Sequence, residues 1–164
     1  MKRRFEPVEQ IGVGSVRISD QEKRYVQQVL ESNRLSYGPF SRRLESEFAR
    51  AHECSHAILT NSGTSSLQIA VASLKEHRGW KDGDELLCPA ATFVATSNVI
   101  LQNGMQPVFV DVESDTYNLD PFQIERHLSN RTRGIMVAHL YGQPADMEPI
   151  LEIARRHDLS VIED

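Results

Sequence analysis

The sequence predicts an α/β protein built on a parallel sheet. From residue 56 onward, short apolar runs alternate with amphipathic segments, the pattern of repeating βα units. Turn-forming residues separate the runs, with Gly83, Gly104 and Asp158 at three of the junctions. With 164 residues, 40% of them hydrophobic and 25% charged, the chain is long enough to bury a substantial core and shows no compositional sign of disorder.

Two helices are expected ahead of this region. Residues 19–32 place Tyr25, Val26, Val29 and Leu30 at helical spacing behind an Asp20 cap. After a turn at Tyr37-Gly38-Pro39, residues 41–52 repeat the pattern with Leu44, Phe48 and Ala51 on one face. The βα region then reads as strands over 57–60, 85–88, 107–111, 134–139 and 160–164. Helices are expected over 64–76, 94–102, 121–128 and 147–157. Pro121 behind Asp120 occupies a favoured first-turn position. No repeat, low-complexity tract or interdomain linker interrupts the pattern.

Charge and composition exclude several classes of function. A net charge of −5 and a pI near 5.7 argue against nucleic acid, because phosphate binding relies on clustered Lys and Arg. The short basic clump Lys2-Arg3-Arg4 reads as a solvated end. No apolar run reaches the length of a membrane span, and the N-terminus has no signal-peptide h-region, so a cytoplasmic protein is expected. Cys54 and Cys88 are too few for a disulfide framework.

Several motifs invite chemistry. In ILTNSGTSSL a strand leads into Asn61-Ser62-Gly63-Thr64-Ser65-Ser66 and then a helix. Gly63 suits a tight turn, and the unpaired first-turn N–H groups beside Ser and Thr hydroxyls suit an anion such as phosphate. A ligand-free, Ser/Thr-capped helix start fits the same spacing. Gly12-Val13-Gly14-Ser15 resembles the start of a dinucleotide fingerprint but has Arg17 at the third glycine position and no preceding strand. His52, Cys54 and His56 alternate as metal ligands might, yet they fall at a helix end without a fourth ligand, so they read as turn residues and no metal site is expected.

The remaining candidates lie at expected strand ends. Phe93 is placed to stack on a planar ligand or to pack under a loop. His139 fits a base, a cofactor neighbour or a packed histidine. Asp164 ends an apolar strand, and a buried carboxylate there needs a cation or donor, for which a protonated ring nitrogen would suffice. Gly63, Phe93, His139 and Asp164 are thus expected to converge on one crevice.

Taken together, the segments GPFSRRLESEFARAH, LTNSGTSSLQIAVASL, DGDELLCPAATFVATSNVI, GMQPVFVDVESDTYNLDP, RTRGIMVAHLYGQPADM and LSVIED resemble the N-terminal part of the DegT/DnrJ/EryC1/StrS aminotransferases. The resemblance covers nearly the whole chain from about residue 7. It implies an aspartate-aminotransferase-like (fold type I) large domain with a mainly parallel sheet and flanking helices. Residues 1–55 would form an N-terminal extended segment with two helices, and 56–164 the first five βα strands of the PLP-binding large domain. The implied cofactor is pyridoxal 5'-phosphate: Ser62, Gly63, Thr64 and Ser65 would hold its phosphate, Phe93 would stack on the ring, and Asp164 would pair with the pyridine nitrogen. The implied reaction moves an amino group, from glutamate, to a nucleotide-linked keto-sugar in a homodimer.

Two departures accompany the resemblance. Glu53 stands where the family often has Gly. The family's Schiff-base lysine has no counterpart among Lys2, Lys23, Lys75 and Lys81. The lysine serves as covalent anchor and as base. Residues 1–164 alone are therefore expected to be inactive, and to need the missing C-terminal half or a companion chain. With ladder partners for 57–60 in that half, the isolated piece is also expected to be poorly soluble or molten. Two alternatives remain open: a PLP-dependent sugar dehydratase of the same family, with histidine replacing the lysine, and a non-catalytic binding or regulatory module.

Overall fold

The computed structural model describes residues 16–164, and the chain divides into two compact units at Ile58/Leu59. Lys2-Arg3-Arg4 and Gly12-Val13-Gly14-Ser15 lie outside the described residues.

The first unit contains α1 (Asp20–Glu31) and α2 (Pro39–Ala51). The cap of α1 is Ser19 rather than Asp20. Its hydroxyl accepts the Glu22 N–H at 3.2 Å and the Glu22 carboxylate accepts the Ser19 N–H at 2.6 Å, a reciprocal capping box. Asp20 sits one residue too late to reach the free amides, and its carboxylate pairs with Lys23 instead. Tyr25 and Phe40 bring the helices together with ring centroids 5.3 Å apart. Helix α2 closes in a Schellman turn, with Cys54 N–H on Ala49 O at 2.9 Å and Glu53 N–H on Arg50 O at 3.3 Å. Glu53 occupies its left-handed position at φ 53°, a conformation that glycine adopts without strain. His52 stacks on Phe48 and the Cys54 thiol bonds the His52 carbonyl, so this stretch is occupied as a helix end.

The second unit is a three-layer α/β arrangement. Helix α3 (Gly63–Arg78) leads to β1 (Glu85–Pro89), α4 (Val94–Gln102), β2 (Gln106–Val110), α5 (Pro121–Ile124), β3 (Thr132–Val137), α6 (Met147–Arg156) and β4 (Ser160–Glu163). All neighbouring strands pair in parallel, in the order β2-β1-β3-β4. The β1 connection therefore moves one way across the sheet, and those of β2 and β3 move the other. Crossovers of one hand that travel in opposite directions must use opposite faces.

The core has that organisation. Leu67 and Val71 of α3 and Val99 and Ile100 of α4 pack on one face with Leu86, Cys88, Met136 and Ile162. Ile124 of α5 and Ile150, Ile153 and Ala154 of α6 pack on the other with Leu87, Val110, Ile135 and Val137. Alternate residues of β1 serve opposite layers, so the strand is buried along its whole length.

Further sequence expectations change, among them the strand expected over 134–139, which spans Thr132–Val137, and the helix expected from 41, which starts at Pro39. Residues 57–60 form no strand, and Ile58 and Leu59 remain exposed. Among the described residues the sheet therefore has four strands instead of the five expected. The helix expected over 121–128 is cut to one α-turn followed by a 3-10 turn at Glu125–His127. Helix α3 starts one residue early, at Gly63. Among the described residues no helix is long and apolar enough to cross a membrane.

Candidate functional site

Parallel strands put all their carboxyl ends on one edge, and β1 and β3 are the neighbours whose following connections diverge. That makes their carboxyl ends the switch point where an open α/β sheet forms a crevice. Phe93 follows β1, His139 follows β3 and Asp164 follows β4, so these three share the edge. Gly63 approaches it from α3. That helix ends beside the amino end of β1, and its sixteen residues span about 24 Å, so its first turn points back toward the carboxyl side.

Asp164 is the best-held of these groups. Its N–H donates to Val137 O at 2.7 Å and its carbonyl accepts the His139 N–H at 2.9 Å, which extends the β3–β4 ladder. The buried Thr96 hydroxyl donates to Asp164 Oδ2 at 2.8 Å, and Thr92 Oγ1 lies 3.1 Å from Thr96 Oγ1. The carboxylate is exposed among the described residues, where burial was expected. Thr92 and Thr96 lay within the PAATFVAT segment, but periodicity alone did not single them out; the fold pairs Thr96 with a residue 68 positions away.

His139 is locked by both ring nitrogens. The Ala145 N–H donates to Nδ1 at 3.1 Å, so the ring proton resides on Nε2, which faces Glu163 Oε2 at 3.1 Å. Asn118, only 1% exposed, steadies the same loop: its Nδ2 donates to Gln143 O and its Oδ1 accepts the Leu140 N–H, both at 3.0 Å. No local sequence pattern singles out Asn118. Of the three roles open to His139, these bonds favour a fixed structural neighbour.

At α3, Ser62 is the N-cap and its hydroxyl accepts the Ser65 N–H at 3.2 Å. Thr60 and Ser66 hydroxyls meet at 2.6 Å beside it. The Gly63 and Thr64 amides belong to the first turn and have no carbonyl within the helix to reach. Gly63 does not need glycine for its backbone, contrary to the tight-turn expectation: its φ lies outside the left-handed region. A Cβ there would meet nothing within 4 Å, so the residue leaves open space in front of the free amides. A phosphate fits such a cradle by charge and by donor type. No hydrogen bond joins this hydroxyl cluster to Asp164 among the described residues.

Phe93 caps α4 without a side-chain bond and is 70% exposed, with its ring free of the core. Cys88, one residue from the end of β1, is fully buried, and burial pushes its thiol up to about 12. It stays protonated and belongs to the packing. Neither lysine of the second unit offers a nucleophile at this edge: Lys75 is held by Asp82 and the Asn103 carbonyl at the end of α3, and Lys81 lies in the turn before β1.

The chain is 40% identical over 155 residues to GDP-perosamine synthase of Caulobacter vibrioides, covering 94% of this chain and 41% of that protein. It is 39% identical over 139 residues to dTDP-3-amino-3,4,6-trideoxy-alpha-D-glucose transaminase of Streptomyces venezuelae, covering 85% of this chain and 36% of that protein. The E. coli GDP-4-keto-6-deoxy-D-mannose-3-dehydratase structure, with bound hydrated PLP, superposes with a TM-score of 0.86 at 27% identity, covering 93% of this chain and 40% of that one. The chain thus spans about two fifths of the relatives it matches. Its fold is that of the PLP-dependent aminotransferases. A profile of the family matches residues 16–164, and the chain belongs to the DegT/DnrJ/EryC1/StrS aminotransferase family.

Proposed function

We propose that this chain is the cofactor-binding N-terminal portion of a PLP-dependent aminotransferase that transfers an amino group, from glutamate, to a nucleotide-linked keto-sugar. The observation that carries the reading is the pairing, on one edge of a parallel sheet, of a positioned carboxylate at Asp164 with a glycine-opened helix start at Gly63. The relatives' names supply the substrate class, since they act on GDP- and dTDP-linked sugars.

In this reading Ser62, Gly63, Thr64 and Ser65 bind the cofactor phosphate through hydroxyl and first-turn N–H groups. Phe93 covers one face of the ring and excludes water from it. Asp164 holds a proton at the pyridine nitrogen, because a carboxylate beside it favours the cationic form. The cofactor, when bound, supplies the electron sink that stabilises negative charge at the substrate carbon. Residues 56–164 would be the start of the large domain and 1–55 its N-terminal segment, in a cytoplasmic homodimer. The covalent lysine is assigned to chain outside residues 1–164.

The test uses the full-length protein with PLP, [15N]glutamate and a panel of GDP- and dTDP-linked keto-sugars, followed by mass spectrometry. Incorporation of 15N into the sugar is the expected result. Loss of a sugar hydroxyl without 15N would identify the dehydratase alternative, which a PLP-bound dehydratase among the neighbours keeps in view. Neither product, together with PLP affinity unaffected by Asp164→Asn, would overturn the reading in favour of a non-catalytic module.

A further inference from the structure

We propose that Thr96 is the positioning residue of the site: its hydroxyl fixes Asp164 Oδ2 and leaves Oδ1 as the oxygen presented to the cofactor ring nitrogen. The inference rests on the PLP reading above.

Thr96 is fully buried, in the first turn of α4. A buried hydroxyl needs a partner, and a helical threonine commonly finds one in the carbonyl of the preceding turn. Here the hydroxyl turns to Asp164 Oδ2 at 2.8 Å instead. An ionised carboxylate only accepts, so the single Thr96 proton goes to Asp164. Thr92 must then donate into Thr96 across their 3.1 Å contact. The bonds run in one direction, from Thr92 through Thr96 to Asp164.

The main chain of Asp164 is pinned by Val137 and His139, and the Thr96 hydroxyl holds its carboxylate. Without Thr96 the carboxylate could rotate about both side-chain torsions. Thr96 supplies a rigid anchor, since its branched side chain has few rotamers and its helix turn is buried. Phe93 lies three residues earlier, on the same turn. One turn of α4 therefore sets both the ring-stacking side chain and the carboxylate that meets the ring's edge.

The test is 15N NMR of [15N-pyridine]PLP bound to the full-length protein, with PLP affinity measured alongside. Thr96→Val is expected to move the resonance toward the unprotonated-pyridine position and to weaken PLP about tenfold, as loss of one bond to a charged group implies. Thr96→Ser, which keeps the hydroxyl, is expected to restore the wild-type resonance. A role in packing alone would leave the resonance of Thr96→Val at the wild-type position. Thr96→Ala makes the same test if valine prevents folding, and a wild-type resonance in whichever hydroxyl-free variant folds overturns the proposal. Asp164→Asn separates the two claims: if it shifts the resonance and Thr96→Val does not, only the positioning role fails, whereas no shift in either removes the Asp164 reading as well.

Discussion

Arg133 closes on Asp84 through two nitrogens, Nε at 2.9 Å from Oδ2 and Nη2 at 3.1 Å from Oδ1, and so ties the start of β3 to the residue before β1. Beside it Arg131 holds Glu85 Oε1 with Nη2 at 2.6 Å, and the Ser129 and Thr132 hydroxyls complete the Glu85 shell. Both carboxylates are buried at the amino edge of the sheet, opposite the candidate site. Burial would push the Asp84 carboxyl up, but the Lys81 N–H and the Arg133 guanidinium outweigh it and hold it below the usual range. The Ser129 hydroxyl holds Glu85 low against burial, helped by Arg131 and Thr132.

Depressed folded-state values fix the sign of the pH dependence. The stabilisation is fully present above the unfolded-state values, about 3.9 and 4.3, and is lost as pH falls through the lower folded-state ones. Thermal unfolding should therefore shift to lower temperature below about pH 4. Asp84→Asn should flatten that dependence. Arg133→Met should destabilise by about 2 kcal/mol at neutral pH, as it leaves a buried carboxylate short of its donors. Melts from pH 3 to 7 would check all three.

Gly134 is required by packing. A Cβ there would lie 2.6 Å from the Ser160 carbonyl and 3.0 Å from Leu86 Cδ2, and neither the ladder of β4 nor the sheet core can retreat freely. Gly134→Ala should destabilise by about 1–3 kcal/mol, read by chemical denaturation.

Gly63 makes the contrasting case. A methyl group there meets nothing and enters a helical first turn, so Gly63→Ala should leave stability unchanged or raise it by about 0.5 kcal/mol. If the first-turn amides bind the PLP phosphate, the same substitution should weaken PLP about tenfold by crowding it. A spectroscopic PLP titration alongside a melt would show stability and affinity moving apart; unchanged affinity would count against the phosphate assignment.

Glu53 holds a left-handed position that glycine adopts without strain. Glu53→Gly should stabilise the protein by about 1 kcal/mol, because the Schellman bonds of α2 remain while the strain is relieved. Equilibrium unfolding of the pair of proteins measures it.

Much of the fold was legible because its signals are local. The helix at Val94–Gln102 matches its sequence span, and Met147–Arg156, Ser160–Glu163 and Glu85–Pro89 differ by a residue at one end, since apolar period and turn residues act over a few positions. Gly104 and Asp158 take left-handed conformations at the helix ends where turns were expected. Residues 57–60 take no strand among the described residues, because a strand exists only through its ladder, which an apolar run does not show by itself. The Asp20 cap misled by one position, which only the bond from Ser19 could decide.

The sequence by itself determined the alternation of strands and helices, and it singled out Gly63, Phe93, His139 and Asp164 as residues at element boundaries. Tertiary structure alone decided that β3 pairs with β1 rather than β2, that Thr96 grips Asp164 and that Arg133 grips Asp84. Those pairings join residues 68 and 49 positions apart. Local periodicity fixes which face a side chain takes, but the packing of whole elements fixes what it meets.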